Sequence, residues 1–244
     1  MKTFRLCKIE GYRFIHSLEI TKYFVIIPIV LVLMCYVNIY TVRSSVSNVA
    51  IWSSISSAYL YILLSFIILI AIYVGREYRY KTINYEVVRE YGICRIAIAK
   101  TITCGLIVPL VYTMCILFYL FLLVDNFTLT YVWRIILLCV VHMHICTATI
   151  MYVMLCKNGI WGGVVGFLRF FVIEIVLQSF LVDDKIIMIK FIYKMMAFQQ
   201  WSDMIRIDLP INAYYGWMII LTMMAECVIL LELLRLNKKK YDFV

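Results

Sequence analysis

Six apolar stretches, each close to the ~20 residues that a helix needs to cross a bilayer, dominate this chain and leave it little freedom in how to fold. They run at about residues 23–40, 58–74, 101–124, 135–156, 161–181 and 214–236. Glycine and proline are scarce, 9 and 3 in 244 residues, so the stretches are largely uninterrupted. In lipid a backbone must satisfy its own hydrogen bonds, and an unbroken apolar stretch does so as a helix. A membrane barrel would instead show alternating segments of about 10 residues, and none is present. With 65% hydrophobic residues and a mean hydropathy of +0.97, the chain is far more apolar than a soluble domain, whose apolar share is roughly 45–50%. The expectation is one transmembrane domain over 1–244, an all-α integral membrane protein with six transmembrane helices.

The connections carry the charge. Residues 1–22 hold five Lys/Arg and two Glu, with Phe4, Cys7, Gly11, Ile15 and Leu18 on one helical stripe, which predicts an N-terminal interfacial helix. A cleaved signal peptide fits less well, because the leader before the apolar run is long and no clean small-x-small site follows. A serine-rich connection, Ser44 to Ser57, separates the first two spans, Pro109 is expected to kink the third, and Lys157-Asn158-Gly159 to make a tight turn into the fifth. Residues 182–213 are apolar yet broken by Asp183, Asp184, Lys185, Lys190 and Lys194, which predicts short re-entrant or interfacial helices that dip into the outer leaflet or cap the spans. Residues 75–100 hold six Lys/Arg and three Glu, while Ile83, Val87, Val88 and Ile93 keep an apolar side. That pattern suits a helix on the membrane surface or docked into a partner. With the N-terminus inside, the inner segments hold sixteen Lys/Arg and the outer ones six, leaving Arg169 within a span. The positive-inside rule then puts both termini and residues 75–100 in the cytoplasm of a multi-pass cell-membrane protein.

Ionisable groups inside a bilayer are functional candidates by default, which singles out Arg169, Glu174 and Glu226. Helix rise puts Arg169 about 12 Å and Glu226 about 15 Å from the inner ends of their spans. The matching depths predict an ion pair, within the subunit or across a dimer. Arg169 and Glu174 are five apart, about 140° around an α-helix, and so are expected to be poor partners. Glu174 with Gln178, one turn on, marks a polar stripe facing protein or substrate. His142 and His144 lie about 200° apart and are unsuited to one metal ion, so they read as buried, hydrogen-bonded residues. The nine cysteines form no CxxC pair, and no disulfide or cysteine metal site is expected. No GxSxG, HExxH or GxxxxGK[ST] occurs, so no catalytic set, cofactor or nucleotide site is expected in this chain. Its excess positive charge is accounted for by topology and needs no nucleic acid.

One stretch goes further. Glu77-Tyr78-Arg79, Lys81-Thr82-Ile83, Tyr91-Gly92, Arg95 and Ala99-Lys100 entering a span resemble the first cytoplasmic loop of type-2 ABC exporter permeases. Lys81 departs from that pattern, where glycine is common. The terminal Lys238-Lys239-Lys240-Tyr241-Asp242-Phe243-Val244 resembles the family's basic tail. The resemblance implies a transport subunit of the small six-span bacterial kind, not itself an enzyme. Separate ABC ATPase subunits would hold ATP and Mg, and a second permease chain, identical or a sister, would complete the complex. It implies a coupling helix whose contacts with the ATPase would involve Glu77, Arg79, Thr82, Glu86, Arg89, Glu90 and Arg95. Cargo would be an amphipathic peptide, in antimicrobial-peptide export or self-immunity, or a lipophilic compound moving laterally from the bilayer. The competing expectation is a non-transporting membrane sensor or assembly scaffold that uses the same basic loop to hold a cytoplasmic partner.

Overall fold

The computed structural model describes residues 2–17, 48–82, 92–123, 129–181, 194–205 and 213–237, with isolated positions at 22, 23, 26, 29, 30, 33 and 192. Most of the first expected span, most of 182–193 and the basic tail lie outside the described residues, as do Glu86, Arg89 and Glu90. Among the described residues the structure is helical and contains no strand: α1 (Lys2–His16), α2 (Asn48–Arg79), α3 (residues 93–123), α4 (Leu129–Cys156), α5 (residues 159–181), α6 (Ala197–Ile205) and α7 (Ala213–Leu236). Four stretches are long and apolar enough to cross a membrane, Ile93–Met114, Tyr131–Cys156, Gly159–Leu177 and Tyr214–Leu236. The all-α reading therefore holds.

Helix ends fall where backbone chemistry demands, which is not always where hydropathy changes. α2 begins at Asn48, so much of the serine-rich connection is helical. Serine is a tolerable helix former, and no Gly or Pro interrupts 48–74. At its other end α2 runs to Arg79 and stops in a turn at Lys81, whose φ of 55° lies in the left-handed region that glycine favours. α3 begins at Ile93, eight residues before the expected span boundary, so Lys100 sits inside a helix. α3 also contains a π-turn at Thr101–Leu106, just ahead of Pro109. Pro109 has no N–H to give the carbonyl of Gly105, and the wider turn is where the helix absorbs this defect. α5 opens at Gly159 behind the expected tight turn: Lys157 has φ 52°, and the Asn158 side chain accepts from the amides of Ile160 and Trp161 at 2.9 and 3.4 Å.

α4 is the central helix and touches α2, α3, α5, α6 and α7. Most of it is buried, whereas α5 and α7 leave most of their apolar surface exposed. Helices in lipid gain little from burying apolar surface against each other and depend on close packing. Small residues supply it. Gly159 and Gly163 on α5 meet Ala71 and Gly75 on α2, where a Cβ on Gly159 would lie 2.5 Å from the Ala71 carbonyl oxygen. Gly162 and Gly166, on the neighbouring stripe of α5, meet Val153 and Thr149 of α4. Two overlapping GxxxG registers thus seat α5 against two helices at once.

α1 lies across one end of this bundle, on α3, but not by the stripe expected from sequence. Leu6, Glu10 and Phe14 are buried, while Phe4 is 80% exposed and Ile15 63% exposed. The protein-facing stripe contains a carboxylate, and hydropathy alone assigns a carboxylate to the solvent side. Basic side chains gather at this end, with Arg13, Arg76, Arg79, Lys81, Lys157 and Arg235, whereas the described part of the opposite end holds Arg134 and Lys194. At that far end α6 lies over the spans. Arg134, buried at the start of α4, donates to the carbonyls of Asp203 and Met204 at 3.4 and 3.2 Å. Those are orphan carbonyls at the C-terminus of α6, where a cation is favoured. Tyr215 donates to Asp203 at 2.7 Å, and Gln200 to Thr222 at 3.0 Å, fixing α6 to α7. In the described part of 182–213, then, a short helix caps the spans.

Candidate functional site

Two buried ion networks pin the helices, one at the α1 end and one at mid-depth. At the α1 end Lys100 is fully buried and meets two carboxylates, Glu10 of α1 at 2.7 Å and Glu77 of α2 at 2.5 Å. Arg13 lies 3.3 Å from the other oxygen of Glu10. The Lys100 ammonium also sits 5.7 Å from the centre of the Tyr73 ring, against which Phe14 packs edge-on at 5.2 Å. Three helices, distant in sequence, therefore close on one cation. Because the α-helix of α3 extends back to Ile93, Lys100 is deep enough to be surrounded.

This geometry changes what the 75–100 segment presents outward. Glu77 points inward and is held by Lys100, so it is not a surface side chain. Arg79 and Arg95 are exposed, at the end of α2 and in the first turn of α3. Thr82 is half-buried and donates to the carbonyl of Glu77 at 3.1 Å, closing the turn around Lys81. Tyr78 donates to the carbonyl of Met154 at 3.2 Å, satisfying an orphan acceptor in the last turn of α4. The end of α2 and the start of α3 are thus anchored in the bundle.

At mid-depth the structure brings Arg169, Glu174 and Glu226 together. Arg169 lies 3.7 Å from Glu226 within the one chain, and it also pairs closely with Glu174. The second contact corrects the expectation from α-helical spacing. Residues Leu168–Ile173 form a π-turn, whose i to i+5 hydrogen bonding stacks residues five apart instead of splaying them. His144 Nε2 donates to Glu226 at 2.8 Å, and the Tyr152 hydroxyl donates to its other oxygen at 2.8 Å. Phe170 covers the set, 5.5 Å from the Arg169 guanidinium and 6.0 Å from the His144 ring. Glu174 is buried, whereas Arg169 is one-third exposed on the outer surface of the bundle. Two carboxylates face one guanidinium, and Glu226 is held in addition by the imidazole and the phenol.

His144 and Tyr152 were not legible as partners of Glu226 from sequence, although their spacing of eight places both on one stripe of α4. Glu10 was equally hidden, although Leu6, Glu10 and Phe14 recur every four residues. His142 is buried and donates from Nδ1 to the carbonyl of Leu138 at 2.8 Å. No cluster of three metal-ligating side chains occurs among the described residues. The described cysteines are free thiols. No protein-family model matches this chain, and no curated protein matches it in sequence.

Proposed function

We propose that this chain is the transmembrane subunit of an ATP-driven exporter resembling type-2 ABC permeases. Separate ABC ATPase subunits bind ATP and Mg, and a second permease chain completes the path. The observation that supports this reading most is the clamp of α1, α2 and α3 on Lys100. Residues 83–91 bridge the ends of α2 and α3, and those ends are tied to each other and to the interfacial helix. A push on that bridge by a closing ATPase would move three helices as one body, which is what coupling at a distance requires. Arg79 and Arg95, with Glu86, Arg89 and Glu90 of the bridge, are the contacts offered to the ATPase; Glu77 acts from inside.

In this reading α2 and residues 23–40 add two spans to the four apolar helices, giving six. The end that carries α1 and the basic cluster is cytoplasmic by the positive-inside rule, in a bacterial cell membrane. The exposed apolar flanks of α5 and α7 suit a lateral, lipid-facing route, hence an amphipathic cargo such as an antimicrobial peptide. The test is purification of the tagged chain from its native membrane, followed by ATP-dependent peptide transport in inverted vesicles. An ABC ATPase should co-purify, and Arg79→Ala should weaken ATP-driven transport while leaving the chain in the membrane. A complex without an ATPase, in vesicles that transport nothing on ATP addition, would overturn the reading.

A further inference from the structure

Beside the Lys100 clamp, α1 and the end of α2 enclose a cleft of about 250 Å³, lined by Arg13, Ser17, Tyr73, Arg76, Glu77 and Tyr80, with Thr82 at its rim. Its chemistry is that of an anion site. Arg13, which also holds Glu10 at 3.3 Å, and Arg76 reach it from two different helices, and planar guanidinium groups are suited to tetrahedral oxyanions; with Lys100 opposite Glu77 and Arg13 opposite Glu10, Arg76 leaves the cleft one positive charge in excess. Glu77 also lines it, but Lys100 lies 2.5 Å behind that carboxylate and neutralises it. Most telling is Tyr73, which is 95% buried by its 5% exposure and whose hydroxyl has no hydrogen-bond partner among the described residues. A buried hydroxyl left unsatisfied is costly, so one that lines a cleft calls for an acceptor.

The surroundings identify which anion. On α2, Ile72 and Ile68 lie one and two turns below Arg76 on the same face, and they are 52% and 57% exposed. Ile15, two residues after Arg13, is exposed on α1. A basic, hydroxyl-lined cleft therefore opens onto an exposed apolar ridge along α2. We propose that this cleft holds the phosphate of a phospholipid headgroup, with Arg13, Arg76 and the Tyr73 hydroxyl on the phosphate oxygens and an acyl chain along Ile72 and Ile68. The site rests on α2 lying in the membrane, as in the six-span reading, and needs neither an ATPase nor a cargo.

Native mass spectrometry of the purified full chain, titrated with phosphatidylglycerol, diacylglycerol or inorganic phosphate in one detergent, tests it. One phosphatidylglycerol should bind well above the diacylglycerol level, and Arg13→Gln with Arg76→Gln should weaken it about tenfold or more, as the loss of about 1.4 kcal/mol brings. Tyr73→Phe keeps the ring that packs on Phe14 and removes only the hydroxyl. It should weaken phosphatidylglycerol binding severalfold without lowering the melting temperature, so a folding defect in the arginine variant cannot mask the result. Inorganic phosphate that binds as well as the lipid would overturn the lipid assignment. Equal retention of diacylglycerol, or unchanged lipid binding in the folded Tyr73→Phe variant, would overturn the site itself.

Discussion

Replacing Lys100 by Met should unseat α1, and the size of the effect follows from the geometry around the ammonium. At an effective dielectric of 20, contacts of 2.7 and 2.5 Å are each about 6–7 kcal/mol of gross attraction. Burying three ions costs several kcal/mol per ion, so the assembled clamp contributes little net stability. Its removal is not symmetric with its formation. Methionine fills much of the same volume but leaves Glu77 without its cation and Glu10 with Arg13 alone, and breaking a buried pair in this way typically costs about 3–5 kcal/mol. Part of that would be relieved by protonation of one carboxyl, so the variant should be more stable in acid than at neutral pH relative to the parent chain. The neutral triple variant, Glu10→Gln with Glu77→Gln and Lys100→Met, removes the uncompensated charge and should recover most of the loss. Thermal melting in detergent measures stability, and protease cleavage after Arg5 or Arg13 reports release of α1. If Lys100→Met melts like the parent, or if the neutral triple is no better than the single, the clamp is not what seats α1.

Three further perturbations probe the remaining contacts. Gly162→Ala places a Cβ inside the backbone of Val153 and should cost at least about 1–3 kcal/mol, whereas Gly92→Ala meets no atom within 4 Å and should cost less than about 1 kcal/mol; melting curves of the two separate close helix packing from general glycine effects. Lys81→Gly relieves a left-handed residue and should raise stability by about 0.5–1 kcal/mol, and a loss in chemical unfolding would show the turn to be held by the lysine side chain instead. Arg134→Met removes one charged donor shared between two carbonyls at the end of α6, a contact of about 1.5–3 kcal/mol, so amide exchange in 197–205 should quicken about ten- to hundredfold. Unchanged exchange there would mean that α6 is held by its apolar side alone.

What was legible in the sequence is what the bilayer dictates. Four of the six apolar stretches, the turn at Lys157 and Asn158, a short helix over the spans within 182–213 and the contact of Arg169 with Glu226 follow from length, hydropathy and helix rise, and the described residues agree with them. What was not legible follows from contacts between helices. A carboxylate in an amphipathic stripe reads as a solvent residue, yet Glu10 is buried because Lys100 waits for it on another helix. Residues five apart read as splayed, yet Arg169 and Glu174 meet because a π-turn widens the helix between them. The overlapping GxxxG registers of Gly159, Gly163, Gly162 and Gly166 were available as a signal and would have placed α5 between α2 and α4.

The two ion networks explain why so apolar a chain adopts one arrangement of its helices. In lipid an exposed leucine and a helix-facing leucine are nearly equivalent, so the 28 residues of α4 could seat α2, α5 or α7 in several rotations at similar free energy. Small residues narrow this by admitting close approach at a few registers. Ions narrow it further, because a carboxylate rotated away from its cation by one residue faces hydrocarbon. Glu226 meets His144, Tyr152 and Arg169 only in one rotation of α7, and Glu10 reaches Lys100 only in one seating of α1. The networks differ in one respect that bears on motion. At the α1 end Arg13 and Lys100 already match Glu10 and Glu77 in charge, a fixed set suited to a rigid joint. At mid-depth Arg169 is one-third exposed on the surface while it holds Glu174 and Glu226, a set with less protein closed around it. The enclosed clamp therefore leaves its ions less room to move than the half-open set at mid-depth does.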